Sequence, residues 1–386
     1  MADGKALWTC AVLVSVHLIG TCFGHFLPSA IEAVTRQRFL DETVQRRLCR
    51  NMPGLTDRQR SWCRTHLPFV GPIAQGARLG LRECRRQFMF ERWNCPINDS
   101  TTNYHFIMST GSREASFVSS IQAAGITLAI ARTCSAGNVT RFCSCDTSVH
   151  DENIEHNIKG KFDWGGCGDN FAKGYQYSKE FLDVAHTEEE QGNQTALDVM
   201  ELHNNEAGRV VVESTLQTIC KCHGLTGACS VKICWRSLPK VQVVGLILKD
   251  KYRNALQMGI SEAPDVDSPP HEEGSREPPR LVPLDHLARE AEPAELTYLH
   301  TSPDYCRPNA TIGIKGTGER ECNLESRGDD GCELLCCGNG HHPQRSVLRQ
   351  QCKCKFVFCC KVVCDYCLVA WETHHCNDPL QLTARK

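Results

Sequence analysis

The sequence predicts an α+β, disulfide-rich fold, with a helical N-terminal domain and a small, cysteine-knot-like C-terminal domain of β-hairpins. Two observations lead to this prediction. Apolar residues recur every three or four positions in several stretches before residue 260, which is the period of an amphipathic helix. Twelve of the 26 cysteines lie between Cys306 and Cys376. A segment so rich in cysteine has little apolar core and depends on disulfides for its stability.

The first 24 residues predict a secretory signal peptide. Lys5 precedes an apolar run over residues 6–19, and small residues follow as far as Gly24, after which we expect cleavage. The apolar run is too short to span a bilayer; the alternative interpretation is a buried N-terminal helix. Cleavage would leave 26 − 2 = 24 cysteines, enough for twelve disulfides in an oxidising compartment. No later stretch approaches roughly eighteen apolar residues, so we expect no membrane span.

Sequons and charge also indicate an extracellular protein. Sequons for N-linked glycosylation begin at Asn98, Asn138, Asn193 and Asn309. The net charge is −2, but basic clusters lie at residues 46–50, 58–60 and 82–86. Outside the cell, such clusters suit a sulfated glycosaminoglycan such as heparan sulfate rather than nucleic acid. The alternative is that they are ordinary solvated faces of helices.

Composition divides the chain into a helical domain over 25–260, a linker over 261–300 and a cysteine-rich domain over 301–386. Residues 261–295 contain seven prolines and ten acidic residues against three arginines. Such a composition favours an extended, poorly packed segment.

Helices are predicted in the N-terminal domain at residues 72–88, 112–129, 195–211 and 239–258. Ser112 and Thr195 suit N-cap positions, and Asp198 would complete a capping box with Thr195. Gly208 lies inside the third helix, where glycine costs about 1 kcal/mol relative to alanine. We therefore expect another element to pack closely against Gly208.

Residues 220–235 (CKCHGLTGACSVKICW) predict a projecting β-hairpin. Cysteines two positions apart lie on the same side of a strand, so Cys222–Cys229 can form inside Cys220–Cys234. Gly224 and Gly227 supply the backbone freedom that a tight tip needs. A rigid projecting tip favours binding, because its ordering cost is met before the partner arrives.

The 220–235 segment closely resembles the signature of the Wnt family of secreted signalling ligands. Residues 92–95 (RWNC), 164–170 (WGGCGDN), 203–209 (HNNEAGR) and the closing cysteine array resemble Wnt segments in Wnt order. The resemblance extends from about Cys49 to Cys376. Residues 281–285 (LVPLD) and 296–306 (LTYLHTSPDYC) are most similar to the eleventh Wnt subfamily.

The resemblance implies a ligand for Frizzled-type receptors in developmental and cell-fate signalling. Two fingers, the 222–229 loop and the 354–364 hairpin, would grip the receptor's cysteine-rich domain. The linker would be free to engage an LDL-receptor-related or other co-receptor. The receptor contacts implied are His223, Gly224, Leu225, Thr226, Gly227, Ala228, Phe356, Val357, Phe358, Cys359 and Cys360.

The resemblance also implies the remaining disulfides. They are Cys49–Cys63, Cys84–Cys95, Cys134–Cys143, Cys145–Cys167, Cys306–Cys337, Cys322–Cys332, Cys336–Cys376, Cys352–Cys367, Cys354–Cys364 and a vicinal Cys359–Cys360 pair. Family members usually carry their glycans at the positions of Asn98 and Asn309.

Ala228 departs from the family pattern. Wnt proteins have a serine there, which a membrane acyltransferase esterifies with a fatty acid that fills a groove in the receptor. Alanine has no hydroxyl, so no lipid is expected at Ala228. Either the protein works without lipid, or Thr226 or Ser230 substitutes, or the alanine is an engineered or allelic change. An unlipidated Wnt-like antagonist or a hypoactive form is the alternative function, and the use of the acyltransferase and secretory carrier stays open.

Enzyme and metal functions are disfavoured. Residues 364–367 (CDYC) have the spacing of a redox pair, but many cysteines produce such spacings by chance. His203 and His223 are interpreted as structural or surface residues rather than catalytic ones. Cys220, Cys222 and His223 offer zinc ligands, but a leader and sequons predict a compartment where thiols oxidise. We expect no catalysis, no cofactor and no metal.

Overall fold

A computed structural model describes residues 42–51, 54–97, 101–147, 163–164, 166–186, 194–223, 231–261, 279–284 and 289–378. The predicted signal peptide, the sequons at Asn98 and Asn193, and residues 224–230 lie outside this range. The described chain divides into two compact units. The first contains the residues up to Gln87 and Ile97–Ser302, and the second contains Phe88–Pro96 and the residues from Pro303.

The first unit is mainly helical, with small sheets attached. Its helices are α1 (Glu42–Asn51), α2 (Asp57–Thr65), α3 (Val70–Gln87), α4 (Thr101–Ser109), α5 (Arg113–Ser135), α6 (Phe171–Asp183), α7 (Ala196–Ser214) and α8 (Val241–Arg253). Its strands are β1 (Asp163–Trp164), β2 (Gln217–His223), β3 (Val231–Ser237), β4 (Leu256–Ser261), β5 (Arg280–Pro283) and β6 (Thr297–Tyr298). The strands form two sheets, in the orders β1-β3-β2 and β5-β4-β6.

The core of this unit is built around α5, which is buried along most of its length. By length and composition α5 could cross a membrane, contrary to our expectation, but its apolar window is wholly buried inside the unit, as in a core helix. Glycines allow neighbouring helices to approach its backbone. A Cβ on Gly125 would overlap the Gly76 carbonyl oxygen, and one on Gly208 would overlap that of Ser120. The close packing predicted at Gly208 is therefore present.

Two helix starts agree with the sequence. Thr195 caps α7, and its side chain and that of Asp198 form the reciprocal capping box. Ser112 stands at the N-cap of α5, although its side chain makes no capping hydrogen bond.

Two boundaries differ from the prediction. The helix expected over 239–258 ends at Arg253, because Leu256–Ser261 pairs with β5 and β6 instead. The linker expected over 261–300 is partly structured, because Arg280–Pro283 forms a strand and Leu296 and Thr297 are fully buried. The unit boundary follows Ser302. Proline and acidic content does not reveal that these short segments complete a sheet.

The second unit is a small strand-rich unit. It contains β7 (Glu321–Cys322), the short helix α9 (Cys332–Leu335), β8 (His341–Val357) and β9 (Lys361–Cys376), with strand order β7-β9-β8. A buried cluster consists of Leu335 and four half-cystines, Cys322, Cys332, Cys336 and Cys376. The predicted reliance on disulfides rather than apolar side chains is evident here.

A buried histidine in the first unit lies between two carboxylates. His186 Nδ1 is 2.9 Å from Asp198 Oδ1, and its Nε2 is 3.2 Å from Glu201 Oε2. Burial lowers the pKa of His186, but the charge of Glu201 and the hydrogen bond with Asp198 outweigh it and leave that pKa raised. Burial raises the pKa of Glu201 to about 7, although His186 opposes this. Both groups therefore hold protons more tightly in the folded state.

The Gly208→Ala substitution is expected to destabilise the protein by about 1–3 kcal/mol, because the added methyl forces the α5 and α7 backbones apart. Alanine's higher helix propensity, about 1 kcal/mol, does not offset this. Denaturant unfolding of the purified protein measures the change. Gly71→Ala is the matched control, since a Cβ at Gly71 in α3 meets nothing within 4 Å. Equal effects of the two substitutions would contradict the close contact.

The His186→Gln substitution is expected to cost more stability at pH 6 than at pH 9. The stabilisation from charged His186 is complete below its ordinary pKa of 6.5 and is lost as pH rises through its raised folded pKa. Urea unfolding across this pH range measures the cost, which we expect to be larger at pH 6 than at pH 9. His203→Gln is the control, because burial lowers the pKa of His203 and its cost must not grow on acidification. A pH-independent cost at His186 would contradict the ion pair.

Candidate functional site

The β8–β9 hairpin is a long two-stranded ribbon. Pairing runs from His341 opposite Cys376 to Val357 opposite Lys361. The strands contain 17 and 16 residues, which at roughly 3.4 Å per residue extends the ribbon about 50 Å. Side chains on both faces are mostly exposed. Burial against a core therefore does not hold this hairpin together along most of its length.

Disulfides hold the hairpin at both ends. Cys352–Cys367 and Cys354–Cys364 join the strands near the tip, and Cys336–Cys376 attaches the base to the cystine cluster. The two distal bridges are nested as predicted. The pairing register shifts between Cys352 and Lys355, an irregularity that lies between the two nested bridges.

The tip presents consecutive apolar side chains to solvent. Phe356, Val357 and Phe358 are 68%, 49% and 93% exposed, as the receptor contacts implied by the resemblance require. Val362 and Val363 on the returning strand are also exposed, and Phe356 pairs directly with Val362. The sequence analysis missed these two valines. Their position in residues 361–364 (KVVC), opposite the phenylalanines in the hairpin, could have indicated that they are exposed at the tip. Contiguous exposed apolar groups of this kind mark interaction sites.

The predicted Cys359–Cys360 disulfide is corrected by the structure, in which both residues are exposed free thiols. A disulfide between adjacent residues closes a small ring and departs from the usual disulfide geometry, which costs strain energy. The two cysteines still lie at the tip, directly after Phe358.

The second predicted finger is the β2–β3 hairpin. Its strands pair from Gln217 opposite Ser237 to His223 opposite Val231, and Cys220 is bonded to Cys234. Cys222 is also in a disulfide, but its predicted partner Cys229 lies outside the described residues. So do Gly224, Leu225, Thr226, Gly227, Ala228 and Ser230. The structure therefore describes the stem of this finger, and its contacts stay a prediction.

The model of the Wnt family matches residues 51–377 of this sequence. The chain belongs to the Wnt family. Mouse Wnt-16 is 39% identical over 338 residues, covering 85% of this chain and 87% of the relative. Human Wnt-5b is 35% identical over 378 residues, covering 96% and 98%. In the structure of human WLS in complex with WNT8A, a chain 32% identical to this one superposes with a TM-score of 0.55, covering 81% of this chain and 95% of that one.

Membership confirms the recognition and the fold class predicted from the sequence. Wnt proteins are secreted signalling ligands, not enzymes. Assignment to the eleventh subfamily stays a prediction, since the relatives above belong to other subfamilies.

Among the described residues, nine of the disulfides predicted for this Wnt protein are present. They are Cys49–Cys63, Cys134–Cys143, Cys145–Cys167, Cys220–Cys234, Cys306–Cys337, Cys322–Cys332, Cys336–Cys376, Cys352–Cys367 and Cys354–Cys364. Cys84 and Cys95 are each in a disulfide, and their mutual pairing stays a prediction.

These pairings argue against the redox and zinc interpretations of the cysteine motifs. Cys364 and Cys367 are bonded to the opposite strand rather than to each other. Cys220 is consumed by its disulfide and offers no thiolate. The sulfurs of Cys322, Cys336 and Cys376 lie within 4.8 Å of one another, but each of these is a half-cystine too.

The polar surface of this Wnt protein carries the remaining predicted sites. Asn138 and Asn309 are exposed, as glycosylation requires, and Asn309 Oδ1 accepts a hydrogen bond from Thr311 of its own sequon. Of the basic clusters, Arg46 pairs with Glu42 and Arg86 with the buried Glu83. Arg60 likewise pairs with Asp57. Acidic neighbours thus partly neutralise each of the three clusters, which reduces their attraction for a sulfated glycan.

Removing the distal bridges, with serine at Cys352, Cys354, Cys364 and Cys367, is expected to loosen the tip. Closing the 15-residue separation between Cys352 and Cys367 is worth about 3 kcal/mol in the chain-entropy model. Hydrogen exchange of the amides from Lys355 to Val363 should accelerate strongly. Replacing Cys49 and Cys63 by serine in the other unit is the control and should leave these amides unchanged. Unchanged exchange in the variant without the distal bridges would mean that strand pairing alone keeps the tip ordered.

Proposed function

We propose that this Wnt protein is a secreted ligand of Frizzled-type receptors, acting in developmental and cell-fate signalling, and that the β8–β9 tip contacts the receptor's cysteine-rich domain. The observation that carries the proposal is the exposure of Phe356, Val357 and Phe358 on a hairpin held by two nested disulfides. Solvent-exposed phenylalanines contribute nothing to the core, so their position favours a role in binding.

The physical argument rests on preorganisation. Two cross-strand bridges hold the tip before a partner arrives, so little conformational entropy remains to be lost on binding. Aromatic side chains that become fully buried in a partner's pocket often dominate an interface. Phe358, 93% exposed, has the most surface to bury.

The alanine at position 228 increases the contribution that this tip must make to receptor affinity. A fatty acid contributes about 0.8 kcal/mol for each CH₂ group that it buries, so a dozen groups are worth on the order of 10 kcal/mol. A protein without that lipid must obtain its affinity from side chains. We propose that the β8–β9 tip supplies most of it, with an LDL-receptor-related or other co-receptor and heparan sulfate at the matrix as further partners.

Binding of purified variants to a panel of Frizzled cysteine-rich domains tests the proposal. Phe358→Ala is expected to weaken binding by about tenfold or more while leaving the unfolding free energy within about 0.5 kcal/mol, since the side chain is exposed. Leu368→Ala is the matched control, because Leu368 is 74% exposed on the same hairpin but away from the tip; it should stay within about twofold of the native protein. Equal losses in both variants, or native protein that binds no member of the panel, would sink the proposal.

An Ala228→Ser protein made in acyltransferase-competent cells separates agonist from antagonist. If the native protein binds receptor and activates a reporter, it is a ligand that works without lipid. If it binds but only the serine protein activates, the native chain is an antagonist. Binding by the serine protein alone would refute a receptor function for the native form.

A further inference from the structure

Four histidines meet at the base of the β8–β9 hairpin. His342 lies directly opposite His375, and His341 and His374 flank this pair, opposite Cys376 and Pro343 respectively. Successive side chains of a strand point to opposite faces. His341 and His374 therefore share one face of the ribbon, and His342 and His375 share the other.

The His342–His375 pair is engaged in hydrogen bonds to other groups. His342 Nδ1 is 2.9 Å from Asn377 Oδ1, and His375 Nδ1 is 3.1 Å from the Glu319 carbonyl oxygen. His375 Nε2 lies 3.0 Å from Thr373 Oγ1. Since a carbonyl oxygen only accepts, Nδ1 of His375 carries its proton and cannot bind a metal.

The His341–His374 pair has a different geometry. The two Nδ1 atoms face each other at 3.2 Å, where a proton on one makes a hydrogen bond to the other, and the rings are nearly perpendicular at 80°. Zinc–nitrogen bonds are about 2.0–2.1 Å, so two nitrogens on one tetrahedral zinc ion stand about 3.3 Å apart. The two atoms thus already have the separation that a shared metal ion requires.

A carboxylate lies near the other ring nitrogen of His374, although beyond direct hydrogen-bond distance. That nitrogen, Nε2, lies 3.9 Å from Glu372 Oε1, and Arg345 Nε holds the second oxygen of Glu372 at 2.8 Å. Histidines that bind metal usually direct the remaining ring nitrogen toward a carboxylate or carbonyl, which fixes their orientation. The neighbouring Cys376 is buried and bonded to Cys336, which anchors the end of β9 to the cystine cluster.

We propose that His341 and His374 bind a divalent transition-metal ion through their Nδ1 atoms, with Zn²⁺ the ion that the site fits best. Imidazole nitrogen suits zinc and copper, whereas calcium and magnesium require oxygen ligands. This site was not predicted from the sequence, where Cys220, Cys222 and His223 were the zinc ligands considered. Two protein ligands leave two tetrahedral positions for water or for a donor group of an extracellular partner.

A metal ion here would add a cross-link where the hairpin lacks one between its own strands. The nested bridges join β8 to β9 near the tip, and Cys376 at the base is bonded to Cys336 outside the hairpin. An ion between His341 and His374 would tie the two strands at the base. It would thereby restrict the movement of β8 relative to β9 at the base of the hairpin that carries the apolar tip, whatever that tip binds.

Calorimetric titration of the full-length, untagged, chelator-treated protein with zinc chloride tests the proposal, after the exposed thiols of Cys359 and Cys360 have been alkylated so that they cannot bind zinc. We expect one saturable zinc site, weakened on the order of 100-fold by His374→Ala and by His341→Asn, and about 10-fold or more by Glu372→Gln. His375→Ala is the matched control from the opposite face and should change the affinity by less than about threefold. Calcium chloride should give no binding and should not compete.

Hydrogen exchange provides a readout independent of affinity. Zinc should slow the amides of residues 341–344 and 373–376 in the native protein and in His375→Ala, but not in His374→Ala. Since His341→Asn and His374→Ala remove one ligand each, either variant suffices if the other is not secreted. The proposal is wrong if native protein shows no saturable zinc binding, or if His375→Ala loses as much affinity as His374→Ala.

Discussion

Covalent cross-linking between strands is the constraint on which the exposed parts of this Wnt protein depend. An isolated two-stranded ribbon is marginally stable in water, and β8–β9 has no core on either face along most of its length. A slip of one residue would move every side chain to the opposite face. The bridges Cys352–Cys367 and Cys354–Cys364 prevent that slip. They therefore determine where Phe356 and Phe358 lie, and also which histidines meet at the base.

The helical unit is held together differently. Its central helix, α5, is buried, and glycines such as Gly76, Gly125 and Gly208 allow helix backbones to touch. Packing of this kind is dense and intolerant of added volume. The helical unit is thus a packed body, whereas the second unit is stapled by disulfides. This division suits the proposed function, in which the receptor contacts lie on a hairpin.

Under the proposed function, Ala228 increases the share of the binding affinity that side chains must supply. The family resemblance implies a serine-linked lipid at this position, and under the proposed receptor function a chain without the acceptor hydroxyl would lack that apolar contribution to binding. The exposed apolar tip of β8–β9 and the histidines at its base are features of the chain itself. They remain available whether or not an acyl group is attached elsewhere.

Much of the fold and of the candidate site follows from local patterns. The helical period identified α3, α5 and α7, Thr195 and Asp198 identified a helix start, and cysteine spacing with the family resemblance identified the nested bridges and the exposed phenylalanines. Each of these signals is carried by residues close together in sequence, or by a motif that many related chains share.

Only the tertiary structure decided the features that depend on distant residues. Residues 280–283 became a strand because β4 offered an unpaired edge, which proline and acidic content do not reveal. His341 and His374 are 33 residues apart and became neighbours only through the register of β8 with β9. The sequence alone determined the family, the extracellular compartment and the reliance on disulfide cross-links, because composition and short motifs specify them. The meeting of the histidines depended on strand pairing, which composition and short motifs do not specify.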